Sequence, residues 1–301
     1  MRIAHVTDLH VLSNTAAHWR QMLFNKRITG YANTFLGRAR VHRREYLTAV
    51  LDGASRAADH VVVTGDITNL ALESEYDEAR QMLDEMARRC ETTVAPGNHD
   101  IYLPPVHHNR RFPHHFSQFL RSDLPELALD LPSGPFPCVK LRGPAAIIAL
   151  SSAVPRPPFI AAGFVGHEQL DALKRIFVHP EVAKRLPVIL IHHPPVDDRP
   201  RWRQLRDGLV DAAAMRDVLA PLARGLVLAG HLHFRMRRAM KTDRGSVDVI
   251  CASGAALDHH DPRIRAGFNL YQIEDDGRVS SAEAHVLDST GGGFRRLALS
   301  P

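Results

Sequence analysis

Asp8 and His10, Asp66, Asn98 and His99, His192 and His193, and His231 and His233 are carboxylate, amide and imidazole groups able to bind a metal ion or hydrogen-bond a substrate. Each set follows a short apolar run. Carboxylate oxygen together with imidazole nitrogen suits first-row transition ions such as Mn, Fe, Co or Zn better than Ca or Mg alone. Asp8 and His10 are one residue apart, as are His231 and His233, so both members of each pair can reach one ion from the same side of a strand end. A single ion rarely takes the seven candidates Asp8, His10, Asp66, Asn98, His192, His231 and His233. Two ions roughly 3.5 to 4 Å apart that share a carboxylate account for the excess. Asp66 is the natural bridge, being the only acidic candidate after the second run.

Charge arithmetic then limits the substrate. Two divalent ions bring about four positive charges and the two carboxylates remove about two, so the site keeps an excess of about two and favours anions. A hydroxide held between the ions and a phosphate group satisfy that excess, with the metals lowering the pKa of water toward neutrality. Hydrolysis of a phosphate ester or anhydride by in-line attack is the expected reaction.

The elements that must position these groups follow from pattern. Ile3 to Val6, Val61 to Val63, Thr93 to Ala95, Val188 to Ile191 and Leu226 to Ala229 are short runs of β-branched or small apolar residues, the mark of buried strands. In open α/β sheets ligands bind beyond the carboxyl ends of the strands, so distant segments can share one crevice. Between the strands, helices are expected at Tyr46 to Ala58, Glu73 to Arg89, Gly166 to Phe177 and Asp211 to Leu222. A further strand is expected at Ala145 to Leu150. The tail changes character: Val247 to Ala252, Phe268 to Ile273 and Val279 to Val286 read as strands, the last two joined by an Asp275-Asp276-Gly277-Arg278 turn. The whole predicts two sheets packed face to face with helices outside. Residues 102–137 carry seven prolines and read as a Pro/His-rich loop.

With 301 residues and 45% apolar composition, the chain can bury a substantial core. No apolar run reaches the roughly twenty residues of a membrane-spanning helix. Met1-Arg2 leads straight into the first strand with no secretory signal, which predicts a cytoplasmic protein. Cys90, Cys138 and Cys251 are too widely spaced for a C-x-x-C pair, so buried free thiols are expected rather than a disulfide framework or structural zinc site. A net charge of +5 favours anionic partners without requiring nucleic acid.

Asp8-x-His10, Gly65-Asp66-x-x-Asn69, Gly97-Asn98-His99-Asp100, His192-His193-Pro194 and Gly230-His231-x-His233 resemble, in order and spacing, the motif set of the calcineurin-like metallophosphoesterases. The resemblance spans residues 8 to 233. It implies a single domain over 1–301 with an α/β fold, a four-layer α/β/β/α sandwich of two mixed β-sheets flanked by helices, and a dinuclear metal centre. Carried over by block, one ion is held by Asp8, His10, Asp66 and His233, and the other by Asp66, Asn98, His192 and His231. His99 then stands beside the phosphate or leaving group as transition-state stabiliser or general acid. His193 is a neighbour rather than a ligand, and Asn69 a supporting partner.

Two segments bear on substrate. A basic amphipathic insert at about 17–45 carries Phe24, Ile28, Tyr31 and Phe35 at helical spacing, flanked by arginines and Lys26. It is similar to the insert of bacterial metallophosphoesterases that cleave the UDP-diacylglucosamine pyrophosphate bond, which raises peripheral contact at the inner membrane surface. Packing on the protein's own core is the alternative. In the Pro/His-rich stretch, His107, His108, His114 and His115 suggest either a third metal or phosphate site, or a lid that lends positive potential with Arg110 and Arg111.

Three functional classes follow. The first is a phosphodiesterase using a metal-bound hydroxide on a cyclic nucleotide or other small diester. The second is a membrane-surface hydrolase of a lipid-linked pyrophosphate, and the third a non-enzymatic, metal-stabilised binding protein. The expected partner is accordingly an anionic phosphate-containing small molecule or a lipid headgroup. No stable nucleic-acid partner is expected, since no other basic run interleaved with aromatics is long enough to track a strand. Nothing in the sequence fixes an oligomeric state.

Overall fold

The computed structural model describes residues 1–12 and 42–300. The basic insert expected at about 17–45 therefore lies outside the described residues except from His42 onward.

Strand β1 (Arg2–Val6) leads to helix α1 (Arg44–Ala57) and β2 (His60–Val63), and α2 (Glu73–Ala87) leads on to β3 (Glu91–Val94). These three strands pair in parallel, with Ile3 opposite His60 and Val61 opposite Thr92. Helix α1 forms because Leu47, Val50, Leu51 and Ala54 recur at helical spacing and bury one face against the sheet. Residues 102–137, expected as a loop, instead contain α3 (Pro104–His108), α4 (Arg111–Phe116), two 3₁₀ turns, and a small hairpin of β4 (Leu129–Leu131) and β5 (Gly134–Phe136). Pro104 and Pro105 open α3, where a helix has no use for their missing N–H groups.

The second half repeats the scheme. After the antiparallel pair β6 (Cys138–Arg142) and β7 (Ala145–Ala149), α5 (His167–Val178) and α6 (Pro180–Ala183) lead to β8 (Leu186–Ile191). Helices α7 (Arg201–Asp207) and α8 (Ala212–Leu219) then lead to β9 (Arg224–Ala229). Strands β10 (Met236–Lys241) and β11 (Ser246–Cys251) complete this sheet, while β12 (Gly267–Ile273), β13 (Val279–Leu287) and β14 (Phe294–Ala298) cross back to join the first. The sheet orders are β14-β13-β12-β1-β2-β3 and β10-β11-β9-β8-β7-β6.

Alternation along β7 shows how the layers stack. Ala145, Ile147 and Ala149 belong to the core that contains the first sheet, whereas Ala146 and Ile148 pack with Leu170, Leu173 and Ile176 of α5 and Met215 and Val218 of α8. The result is a four-layer α/β/β/α arrangement of two mixed sheets. Polar ties also cross between the sheets: Lys140 Nζ on β6 donates to the Thr92 carbonyl on β3 at 2.9 Å, and Arg142 pairs with Glu91 at 2.6 Å. Cys90, Cys138 and Cys251 are free and buried. Among the described residues no helix is long and apolar enough to cross a membrane.

Candidate metal centre

The strand ends after β1, β2, β3, β8 and β9 meet in one crevice, and the backbone there turns abruptly. Asp8 (φ 51°), His10 (45°), Asp66 (50°), His231 (68°) and His233 (57°) all adopt left-handed conformations. Such a residue costs roughly 1 kcal/mol or more, although Asp and His tolerate the region better than most. Five of the eight non-glycine residues with positive φ among those described fall in this one place, so the surrounding structure is holding the side chains in an imposed direction.

Two motif glycines allow the loops to close. A Cβ on Gly97 would lie 2.2 Å from both the amide nitrogen and Oδ1 of Asp66. One on Gly230 would lie 2.0 Å from the Thr7 hydroxyl and 2.7 Å from Asp8 Oδ2. Only glycine permits these approaches.

Asp66 occupies the centre. Its Oδ1 accepts the backbone N–H of His99 at 2.7 Å, while Oδ2 faces Nε2 of His10 at 3.8 Å on one side and Nε2 of His192 at 3.4 Å on the other. Asp8, His10, Asp66 and His233 each offer a donor atom within 4.8 Å of the others. On the opposite side, Asn98 Oδ1 lies 3.2 Å from His192 Nε2 and 3.1 Å from His231 Nδ1. All seven residues singled out as ligands are thus brought together. Asp8 Oδ2 is satisfied by the Thr7 hydroxyl at 2.9 Å and the His231 N–H at 3.1 Å. Its buried Oδ1 accepts no hydrogen bond and instead faces His233 Nε2 at 3.2 Å.

The electrostatics call for a cation. Burial pushes the Asp66 carboxyl up, but His192 and His99 outweigh it and hold the group well below the ordinary carboxylate range. Burial likewise opposes ionisation of Asp8, and His233 overcomes it, so that pKa also falls. His192 would be lowered by burial, yet the Asp66 carboxylate beside it lifts it to about 9. A buried pair of carboxylates that stays ionised and raises the affinity of His192 for a proton is a site suited to positive charge. An orphaned carboxylate oxygen, two carboxylates, an amide oxygen and several imidazoles, with no thiol among them, fit a pair of divalent transition ions sharing Asp66.

Supporting groups fix the rings. His192 Nδ1 lies 2.7 Å from the Thr64 carbonyl, which can only accept, so Nδ1 carries the hydrogen and Nε2 turns toward Asp66 and Asn98. His193 is committed elsewhere, through Nε2 to the Ala161 carbonyl at 2.9 Å and Nδ1 to the Ser152 hydroxyl at 2.8 Å. Burial lowers its pKa to about 3, so it remains neutral beside His231. His99 donates from Nδ1 to the Asn69 carbonyl at 2.5 Å, stacks on Tyr102 at a centroid distance of 5.3 Å and meets the His10 ring edge-on at 4.8 Å. The Asn69 carbonyl thus supports the His99 ring.

Asp100 was part of a motif without a role in the sequence reading. Its carboxylate accepts N–H groups from Ile67, Thr68 and Gly97, tying the turn after β2 to the turn after β3. Thr7 and Thr64, each just before a motif, give only a weak sequence signal. The four histidines of 107–115 fall in two pairs, His107 against His108 and His114 against His115, and His115 also stacks on Tyr76 and stands with Glu73, at 2.7 Å, and Asp77 in a group whose atoms could hold an ion. Arg110 and Arg111 are engaged by Asp130 and Glu73.

A family model described as calcineurin-like phosphoesterase matches residues 1–235. The chain belongs to that family. Its phosphoesterase fold recurs in a dimetal phosphatase from Danio rerio, with TM-score 0.59, 12% identity, and coverage of 100% of this chain and 99% of that one. It recurs also in the purple acid phosphatase PPD1 of yellow lupin (Lupinus luteus), with TM-score 0.56, 10% identity, and coverage of 98% and 52%. At these identities the likeness is one of fold alone. In sequence, the phosphoesterase is 34% identical over 100 residues to the glycerophosphodiester phosphodiesterase GpdQ of Enterobacter lignolyticus (strain SCF1). That match covers 33% of this chain and 30% of the relative, less than a third of its length.

Proposed function

We propose that the chain is a dinuclear-metal phosphodiesterase acting on a small diester. The observation that carries the reading is Asp66 Oδ2, which faces an imidazole nitrogen of each ligand set at 3.8 and 3.4 Å. Asp8, His10, Asp66 and His233 would hold one ion, and Asp66, Asn98, His192 and His231 the other. When bound, the ions would neutralise phosphate charge and lower the pKa of water at the site. The protein's own contribution is orientation: the Thr64 carbonyl aims His192, the Asp100 clamp sets the two turns, and the Asn69 carbonyl fixes the His99 ring. His99, beside His10 at the edge of the centre, would hydrogen-bond a phosphate or leaving-group oxygen and hold a proton there. Mn, Fe, Zn and Co all suit these donors.

The local match to a glycerophosphodiester phosphodiesterase supports a diester over a monoester. A substrate panel on Mn-reconstituted protein tests this: bis(p-nitrophenyl) phosphate should turn over faster than p-nitrophenyl phosphate. Faster cleavage of a diacylated sugar nucleotide would assign the chain to lipid-linked pyrophosphates instead. Absence of turnover with all three would leave a metal-stabilised binding protein.

A further inference from the structure

Five of the six large apolar side chains exposed among the described residues lie on two neighbouring segments; the sixth, Val178, stands apart at the end of α5. Phe159, Phe164, Trp202, Leu205 and Val210 all lie on two segments, 157–164 and 201–210, with Phe159 75%, Trp202 57% and Leu205 72% exposed. Backbone hydrogen bonds lace the segments together: Ala161 N–H to the Arg206 carbonyl at 3.0 Å, Gly163 N–H to Gly208 at 2.9 Å, and Val210 N–H to Gly163 at 3.0 Å. The segments that carry these apolar residues are therefore held side by side on a fixed frame. The frame also abuts the metal centre, because the Ala161 carbonyl holds His193, whose ring lies 4.4 Å from that of His231.

Outward charge on this face is positive. Arg201, Arg203 and Arg206 of α7 are exposed, and the guanidinium groups of Arg203 and Arg206 lie over the Trp202 ring at 5.2 and 5.3 Å. The acidic residues of the same stretch are turned away or paired. Asp197 and Asp207 bind Arg199, Asp207 also pairs with Arg206 at 2.8 Å, Asp198 binds Arg238, and Asp211 accepts the N–H groups of Val165 and Gly166, so the outward charge rests chiefly on Arg201 and Arg203. An isologous contact with a second copy would set the arginines against their own symmetry mates.

We propose that this face docks on an anionic lipid surface, with Phe159, Trp202 and Leu205 entering the headgroup boundary and the surrounding arginines meeting lipid phosphates. Aromatic and aliphatic side chains ringed by arginine are what such an interface selects. Docking would bring the metal centre close to the membrane plane. The proposal does not depend on which phosphate ester is cleaved, because binding is read without activity.

The chain has two tryptophans, so Trp19→Phe leaves Trp202 as the sole emitter. This variant should sediment with phosphatidylglycerol vesicles, shift its emission to the blue, and bind phosphatidylcholine weakly. Added salt should weaken the binding. Phe159→Ser, Trp202→Ser and Leu205→Ser, combined in the otherwise native chain, should lower sedimentation about fivefold or more. Because all three positions are exposed, far-UV circular dichroism and Tm should be unchanged. Failure of the native chain to sediment would overturn the proposal, as would equal sedimentation by the triple variant. A loss of oligomer mass in that variant, by light scattering, with vesicle binding retained, would assign the face to a second copy.

Discussion

Asp66 is the residue on which the centre turns, because one carboxylate faces both ligand sets. Replacing it with alanine leaves two cations to repel one another without a shared anion, so Asp66→Ala should lose both metals and all activity. Retention of about two ions per chain by elemental analysis would remove Asp66 from the bridge. His99 differs, since it borders the centre without completing either set. His99→Ala should keep near-normal metal content and turn over about 10² to 10³ times more slowly; an unchanged kcat would exclude a catalytic role. At this scale much was readable from sequence, because Asp, Asn and His immediately after apolar runs are costly unless used. Groups acting through the backbone were not readable. The carbonyls of Thr64 and Asn69 orient His192 and His99 through an atom every residue has, and the Asp100 clamp depends on two turns meeting in space.

Among the elements, β2 carries a histidine with no part in the chemistry. His60 is buried with Nε2 on the Thr93 hydroxyl at 2.9 Å, and burial, reinforced by the Lys140 charge, lowers its pKa to about 3. In the unfolded chain the imidazole titrates near its ordinary value of about 6.5. Its contribution is therefore complete above pH 6.5 and declines toward pH 3, as the unfolded chain takes up a proton that the folded one refuses. His60→Gln should be less stable at neutral pH yet lose less stability between pH 6.5 and 4, by about 1 to 3 kcal/mol. Urea unfolding at several pH values reads this, and parallel pH profiles for the two proteins would refute it. Buried strands were legible because both faces are apolar. Two of the edges were not: β10 reads Met-Arg-Arg-Ala-Met-Lys and β14 Phe-Arg-Arg-Leu-Ala, since an exposed edge favours charge over a hydrophobic pattern. Proline density hid α3 and α4 by suggesting loop where three of the prolines sit early in short helices.

For the molecule as a whole, the centre joins the strand ends of both sheets, so bound ions should act as a fastener between halves of the chain. An ion present at about a thousandfold its Kd adds about 4 kcal/mol to stability. Exhaustive chelation should therefore lower Tm by about 10 °C or more, with recovery on adding Mn. An unchanged Tm would mean that the folded state does not bind the ions tightly. Face-to-face packing of the sheets was legible from the repeated strand and helix pattern, whereas the return of β12 to β14 to the first sheet was not, because strand order is a tertiary choice. The left-handed corners at Asp8, His10, Asp66, His231 and His233 carry a different consequence. Glycine would relax each corner by roughly 1 kcal/mol, so Asp and His stand there at a cost to stability. A descendant freed from catalysis should therefore drift there first, and glycine or asparagine at positions 10, 231 and 233 would mark a sturdier relic.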